Sequence, residues 1–138
     1  MNLHEYQAKE LLRKYDLPLL NGVVFIESLS NLKKKLENLK GPPWVVKSQI
    51  HAGGRGAGYF KESSDKDGGV RIVHDKKNAL SIAEFMLGNT LVTKQTGPEG
   101  KKVKRIFIEE GCEIKREFFL SLIIDRNNSQ IMLLISAA

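Results

Sequence analysis

Cysteine is almost absent from this chain. The single Cys112 cannot close an intrachain disulfide, which agrees with a reducing, cytoplasmic compartment. No apolar run approaches the about 20 residues needed to cross a bilayer. An export signal is missing as well: Met1-Asn2-Leu3-His4-Glu5 runs straight into a polar–apolar helical pattern, with no basic leader and no cleavage site. Aromatic residues make up 7% of the chain, and few of them stand among the basic residues as stacking platforms would. That argues against a nucleic-acid surface despite the formal net charge of +6. The lysines behind the charge, among them Lys33, Lys34, Lys35, Lys76, Lys77, Lys101, Lys102 and Lys104, are spread along helices and loops and read as a solvated surface. His4 and His74 have no carboxylate or cysteine cluster at metal-ligand spacing, so neither is assigned to a metal. Internal repeats and low-complexity linkers are missing too.

What remains is the composition of one soluble domain able to bury a core: 138 residues, 41% hydrophobic and 28% charged. Asn2 followed by Glu5 predicts a capping box, opening a helix with Ala8, Leu11, Leu12 and Tyr15 on one face and a stop at Asp16-Leu17-Pro18. Gly22 to Ile26 reads as a strand, and Ser30 to Leu39 as a helix whose Leu32, Leu36 and Leu39 face inward. Gly41-Pro42-Pro43 stops that helix and starts a strand ending at Lys47. Lys61 to Asp67 is polar and reads as a mobile loop, Gly69 to His74 as a strand. Asp75 or Asn78 caps a helix that Gly88 terminates. Leu91-Val92-Thr93 is a short strand. The last third is β: Arg105 to Glu109, Arg116 to Asp125 and Gln130 to Ile135, with Arg126-Asn127-Asn128-Ser129 predicting an antiparallel hairpin. The fold class is α+β, with helices packed on a mixed, largely antiparallel sheet. The apolar end Leu133 to Ala138, without a polar tail, suggests an incomplete chain.

The densest chemistry lies in Trp44-Val45-Val46-Lys47-Ser48-Gln49-Ile50-His51-Ala52-Gly53-Gly54-Arg55-Gly56-Ala57-Gly58. A strand delivers an ammonium, and a glycine-rich turn follows around a guanidinium. Glycines accept positive φ and let backbone N–H groups approach an anion, while Lys47 and Arg55 add fixed charge. The stretch is neither a Walker loop nor the Rossmann G-x-G-x-x-G pattern. Two readings stay open on these residues alone: a phosphate cradle, or a flexible glycine hairpin with two solvated cations.

Set beside the N-terminal Met1 to Lys9, Leu91 to Gly97, and Ile108-Glu109-Glu110 through Arg116-Glu117, this stretch resembles the succinate–CoA ligase (succinyl-CoA synthetase) β-subunit family, at the start of its ATP-grasp region. The likeness covers nearly the whole chain. It implies that residues 1–138 are the N-terminal part of an ATP-grasp domain, with the rest of the grasp and the CoA-ligase domain absent. The implied enzyme interconverts succinate, CoA and ATP with succinyl-CoA, ADP and phosphate in the tricarboxylic acid cycle. The resemblance further implies a partner α subunit carrying the phosphohistidine, and a Mg-nucleotide, ATP or GTP, with the Mg2+ ligands beyond residue 138. This fragment alone would then be inactive. On matching positions, Lys47 contacts nucleotide phosphates, Gly54-Arg55-Gly56 form the loop over them, and Glu109, Cys112 and Glu117 lie along the adenine and ribose pocket. Losing one charge-assisted phosphate contact of the Lys47 kind costs about 1.5–3 kcal/mol. His51 is then a structural or loop-positioning residue and not a phosphoryl carrier. The alternatives are a malate–CoA ligase or another acyl-CoA synthetase β subunit, or a non-catalytic nucleotide-binding module. Residues 57–68 are longer than the shortest loops of the family, either altering the lid or extending into solvent.

Overall fold

The computed structural model describes residues 2–64 and 66–137. Met1, Asp65 and Ala138, which belong to the expected N-terminal motif, polar loop and final apolar run, lie outside the described residues. The chain order is α1 (Glu5–Arg13), β1 (Gly22–Ile26), α2 (Leu32–Glu37), β2 (Trp44–Ser48), β3 (Tyr59–Phe60), β4 (Val70–Val73), α3 (Lys76–Met86), β5 (Thr90–Val92), β6 (Lys101–Lys102), β7 (Arg105–Glu110), β8 (Phe118–Asp125) and β9 (Gln130–Ala137).

Alternation along β2 builds the main sheet. Trp44, Val46 and Ser48 are buried on one face while Val45 and Lys47 turn to the other. The sheet runs β1-β7-β2-β4, and its pairings are all antiparallel. Helices α2 and α3 cover the first face, where Leu36, Val46, Ala83, Met86, Ile106 and Ile108 form a fully buried core. The opposite face is covered by α1, whose Tyr6 ring lies 6.5 Å from Phe107. Register decides what meets there: Val45 stands opposite Glu109 and Lys47 opposite Phe107. Lys47 and Glu109 are therefore diagonal neighbours on the face beneath α1.

A second sheet, β3-β5-β6, seals one edge of the core. Its Phe60 is fully buried and meets Phe85 of α3 edge-on, with ring centroids 5.1 Å apart. The third sheet is the β8–β9 hairpin, in register from Phe118–Ala137 to Asp125–Gln130 around the 126–129 turn. Apolar side chains are exposed on both of its faces, Leu122 and Leu133 on one and Ile123 and Met132 on the other.

Several expectations need correction. Helix α1 is capped by His4, not Asn2, and Gln7 Oε1 accepts the His4 N–H at 2.9 Å. Glu5 is drawn instead into the ion pairs described below. The helix ends at Arg13, none of its residues is fully buried, and Tyr15 stands in solvent beside the positive φ of Asp16. Helix α2 is shorter than the expected Ser30 to Leu39, although Leu32, Leu36 and Leu39 are all buried. No parallel pairing joins the sheets among the described residues, so the expected mixed sheet is three antiparallel ones. Strands β3 and β6, of two residues each, are too short to show a sequence period. Within the polar loop, the Glu62 carboxylate accepts the Thr90 N–H at 2.9 Å and ties the loop to β5.

Candidate functional site

The site is assembled on the sheet face beneath α1. The Lys47 ammonium, from the penultimate residue of β2, donates to Glu109 Oε2 at 2.6 Å and to Glu5 Oε1 at 2.8 Å. Lys9, one helical turn beyond Glu5, donates to the other oxygen of Glu109. Arg55 donates from Nη2 to Glu5 Oε2 at 2.8 Å and from Nη1 to the Ser48 carbonyl at 2.7 Å. Three cations thus share two carboxylates, and the cluster carries one surplus positive charge. Glu109 is 2% exposed. Burial alone would raise the Glu5 pKa, but the hydrogen bonds from Lys47 and Arg55 outweigh it and hold the carboxyl at about 2. Burial likewise opposes charge on Lys47, and Glu109 and Glu5 reverse that, raising the ammonium above its usual range.

Next to the cluster opens a cavity of about 630 Å³, lined by Glu5, His51, Gly53, Gly54, Arg55 and Gly56 among others. Gly54 has φ +72°, a conformation that favours glycine. A Cβ built on Gly54 or Gly56 would meet nothing nearer than 4.0 Å, so the space above this backbone is open. The Arg55 carbonyl accepts the Gly69 N–H at 2.8 Å and the Gly58 N–H at 3.3 Å, closing the turn from behind. Among the described residues no acceptor takes the N–H of Gly54, Arg55 or Gly56. An anion entering the cavity would find a guanidinium and uncommitted amide donors, the chemistry of a phosphate cradle.

Of the residues singled out from the sequence, Lys47, Arg55 and Glu109 are brought together, and Gly54 and Gly56 border the same space. Cys112 and Glu117 are not gathered with them. Cys112 is exposed between β7 and β8, and Glu117 lines a separate hollow with Arg116 and Phe118 at the base of the hairpin. Glu110, beside Glu109, is a structural acceptor whose carboxylate takes the Lys40 N–H at 2.8 Å and the Asn21 amide at 3.2 Å. His51 stacks on His4 with ring centroids 4.0 Å apart. Glu5 and Lys9 were not foreseen here. Their i,i+4 opposite charges were a signal, but a local one that does not reveal a tertiary partner.

Residues 2–138 match the ATP-grasp domain family. The chain belongs to that family. The ATP-grasp chain is 52% identical over 136 residues to the succinate–CoA ligase [ADP-forming] subunit beta of Acidiphilium cryptum, covering 99% of this chain and 34% of that protein. The Rhodospirillum rubrum protein of the same name is 55% identical over 137 residues, again 99% of this chain and 34% of the relative. That of Chelativorans sp. is 57% identical over 127 residues, 91% of this chain and 32% of the relative. The ATP-grasp chain therefore spans about a third of the length of the curated relatives it matches. Among the described residues, no helix is long and apolar enough to cross a membrane.

Proposed function

We propose that the chain forms the phosphate-gripping N-terminal part of a succinate–CoA ligase β subunit. The complete enzyme would convert succinate, CoA and ATP to succinyl-CoA, ADP and phosphate, with a partner α subunit carrying the histidine that is phosphorylated. The observation that carries this reading is Glu5, which already bridges Lys47 and Arg55 with a bidentate anion at 2.8 Å to each. The cations are spaced to share an oxyanion, and the glycine backbone beside them offers donors to a second.

In this reading Arg55 and the Gly54–Gly56 amides bind phosphate oxygens. Lys47 turns from Glu5 to the nucleotide while Glu109 keeps its ammonium charged and aimed. Glu109 acts through Lys47, since its carboxylate oxygens are engaged by Lys47 and Lys9. Cys112 and Glu117, exposed on the segment leading into β8, are placed by resemblance along the base and ribose. Bound Mg2+ would neutralise phosphate charge during transfer. The carboxylates near the cavity do not fit that ion: Glu5 and Glu109 are engaged by cations. No group of three or more His, Cys, Asp or Glu suited to a metal occurs among the described residues.

The test is the complete β subunit assembled with its α partner. ATP- and succinate-dependent thioester formation is expected, with malate a poor replacement for succinate. An intact assembly that forms no succinate-dependent thioester would overturn the reading.

A further inference from the structure

A second, smaller cavity of about 150 Å³ is lined by the stacked His4 and His51 and bordered also by Lys101, Lys102, Lys104 and Arg105. It belongs to a different charge regime from its neighbour. Lys9, Lys47 and Arg55 are each ion-paired with Glu5 or Glu109. No carboxylate lies within ion-pair distance of Lys101, Lys102, Lys104 or Arg105 among the described residues. The four cations stand on one extended segment along the cavity wall. Strand β6 supplies Lys101 and Lys102, buried Val103 carries the extended chain onward with its N–H donated to the Asn89 carbonyl at 2.9 Å, and β7 begins at Arg105, whose carbonyl accepts the Gln49 N–H at 2.9 Å. The Nε of Arg105 is buried and has no acceptor among the described residues.

We propose that this cavity is a binding site for a phosphate-sized oxyanion, either inorganic phosphate or the phosphate group of a monoester. At about 150 Å³ it has room for a phosphate group. The cations along its wall supply the charge, Arg105 a donor in need of an acceptor, and His4 a ring that an arriving anion would favour in its charged form. The same positive surroundings are felt at His4. Burial lowers its pKa most, and the charges of His51, Arg105 and Arg55 lower it further. The site adjoins the proposed nucleotide cradle at Ile50 and His51, and none of Gly54, Arg55 and Gly56 is among its walls.

The experiment is a titration of the chain with inorganic phosphate, followed through the ring protons of His4 and His51 by NMR at constant ionic strength, with chloride as the control. A second arm uses phenyl phosphate. Saturable shifts at His4 and a rise in its pKa on saturation are expected with one or both phosphates. Saturation with both points to the free ion as sufficient, and saturation with phenyl phosphate alone points to a monoester. Lys101→Ala/Lys104→Ala, at exposed positions, should raise the Kd about tenfold, the loss of one charge-assisted contact or more. Lys33→Ala/Lys34→Ala, on α2, should leave it unchanged. Shifts that stay linear in phosphate, that chloride reproduces, or that persist at full affinity in Lys101→Ala/Lys104→Ala would overturn the proposal.

Discussion

Lys47 and Glu109 sit diagonally across two antiparallel strands and join at 2.6 Å, with the Glu109 side chain almost wholly out of water. A charge pair so placed is costly to halve. Glu109→Ala leaves the Lys47 and Lys9 ammonium groups beside an apolar gap, with Glu5 as their remaining carboxylate neighbour. A loss of about 3 kcal/mol is expected, at the lower end for a broken buried pair because Glu5 remains. Urea unfolding of the variant against the parent chain checks this, and the Lys47→Ala/Glu109→Ala double variant should lose less than the sum of the two singles.

The pH dependence follows from Glu5. Its folded pKa of about 2 lies below the ordinary 4.5, so its contribution to stability is present above pH 4.5 and is lost as pH falls from 4.5 toward 2. Lys47 works in the other direction. Its raised pKa adds stability that is complete below 10.5 and is lost only as pH climbs past that value. Thermal melts across pH 2–5 should show a drop in Tm that Glu5→Gln flattens.

Gly68 tests the closure of the glycine loop. A Cβ there would collide with the Gly56 carbonyl oxygen, a backbone atom that can give way only by moving the loop. Gly68→Ala should cost about 1–3 kcal/mol by overpacking and push the 54–56 backbone into the cavity. Denaturant melts give the first effect. Loss of nucleotide-induced stabilisation in a chain that still folds gives the second.

Much of this fold was legible in the sequence. Gly22–Ile26 was readable to the residue, the strand expected after Gly41-Pro42-Pro43 to end at Lys47 is β2 and ends one residue later at Ser48, and the 126–129 hairpin turn followed from turn chemistry. Of the two caps expected for α3, Asp75 is the one used, accepting the N–H of the other, Asn78, at 2.7 Å, and Gly88 follows the helix with φ +90°. Other features depend on contacts that no local pattern carries. Asn2 and Glu5 look like a capping box, but Glu5 gains more from Lys47 and Arg55 than from its own helix N-terminus, so the cap passes to His4 and Gln7. Lys47 and Arg55 were legible as cations near glycines. Their shared carboxylate, 42 and 50 residues away, was not. Cys112 and Glu117 followed from resemblance alone, and they lie apart from the cluster.

The β8–β9 hairpin predicts the behaviour of the chain in isolation. With Leu122, Ile124, Ile131 and Leu133 exposed on one face and Ile123 and Met132 on the other, it presents apolar surface on both sides. Such surfaces drive association. Sedimentation of the isolated chain should show concentration-dependent self-association, which Leu122→Lys/Leu133→Lys diminishes.

The most direct measurement of the central claim, that Lys47 and Arg55 grip nucleotide phosphates, is a thermal-shift titration of the chain with Mg-ATP beside Lys47→Ala. Ligand at about 100 times its Kd stabilises by roughly 2.7 kcal/mol, several degrees of Tm in a domain of this size. The predicted result is a saturable rise in Tm in the parent chain and none in Lys47→Ala relative to its own ligand-free melt. A parent chain that melts cooperatively at the same temperature with and without Mg-ATP, or a shift that Lys47→Ala retains in full, would contradict it.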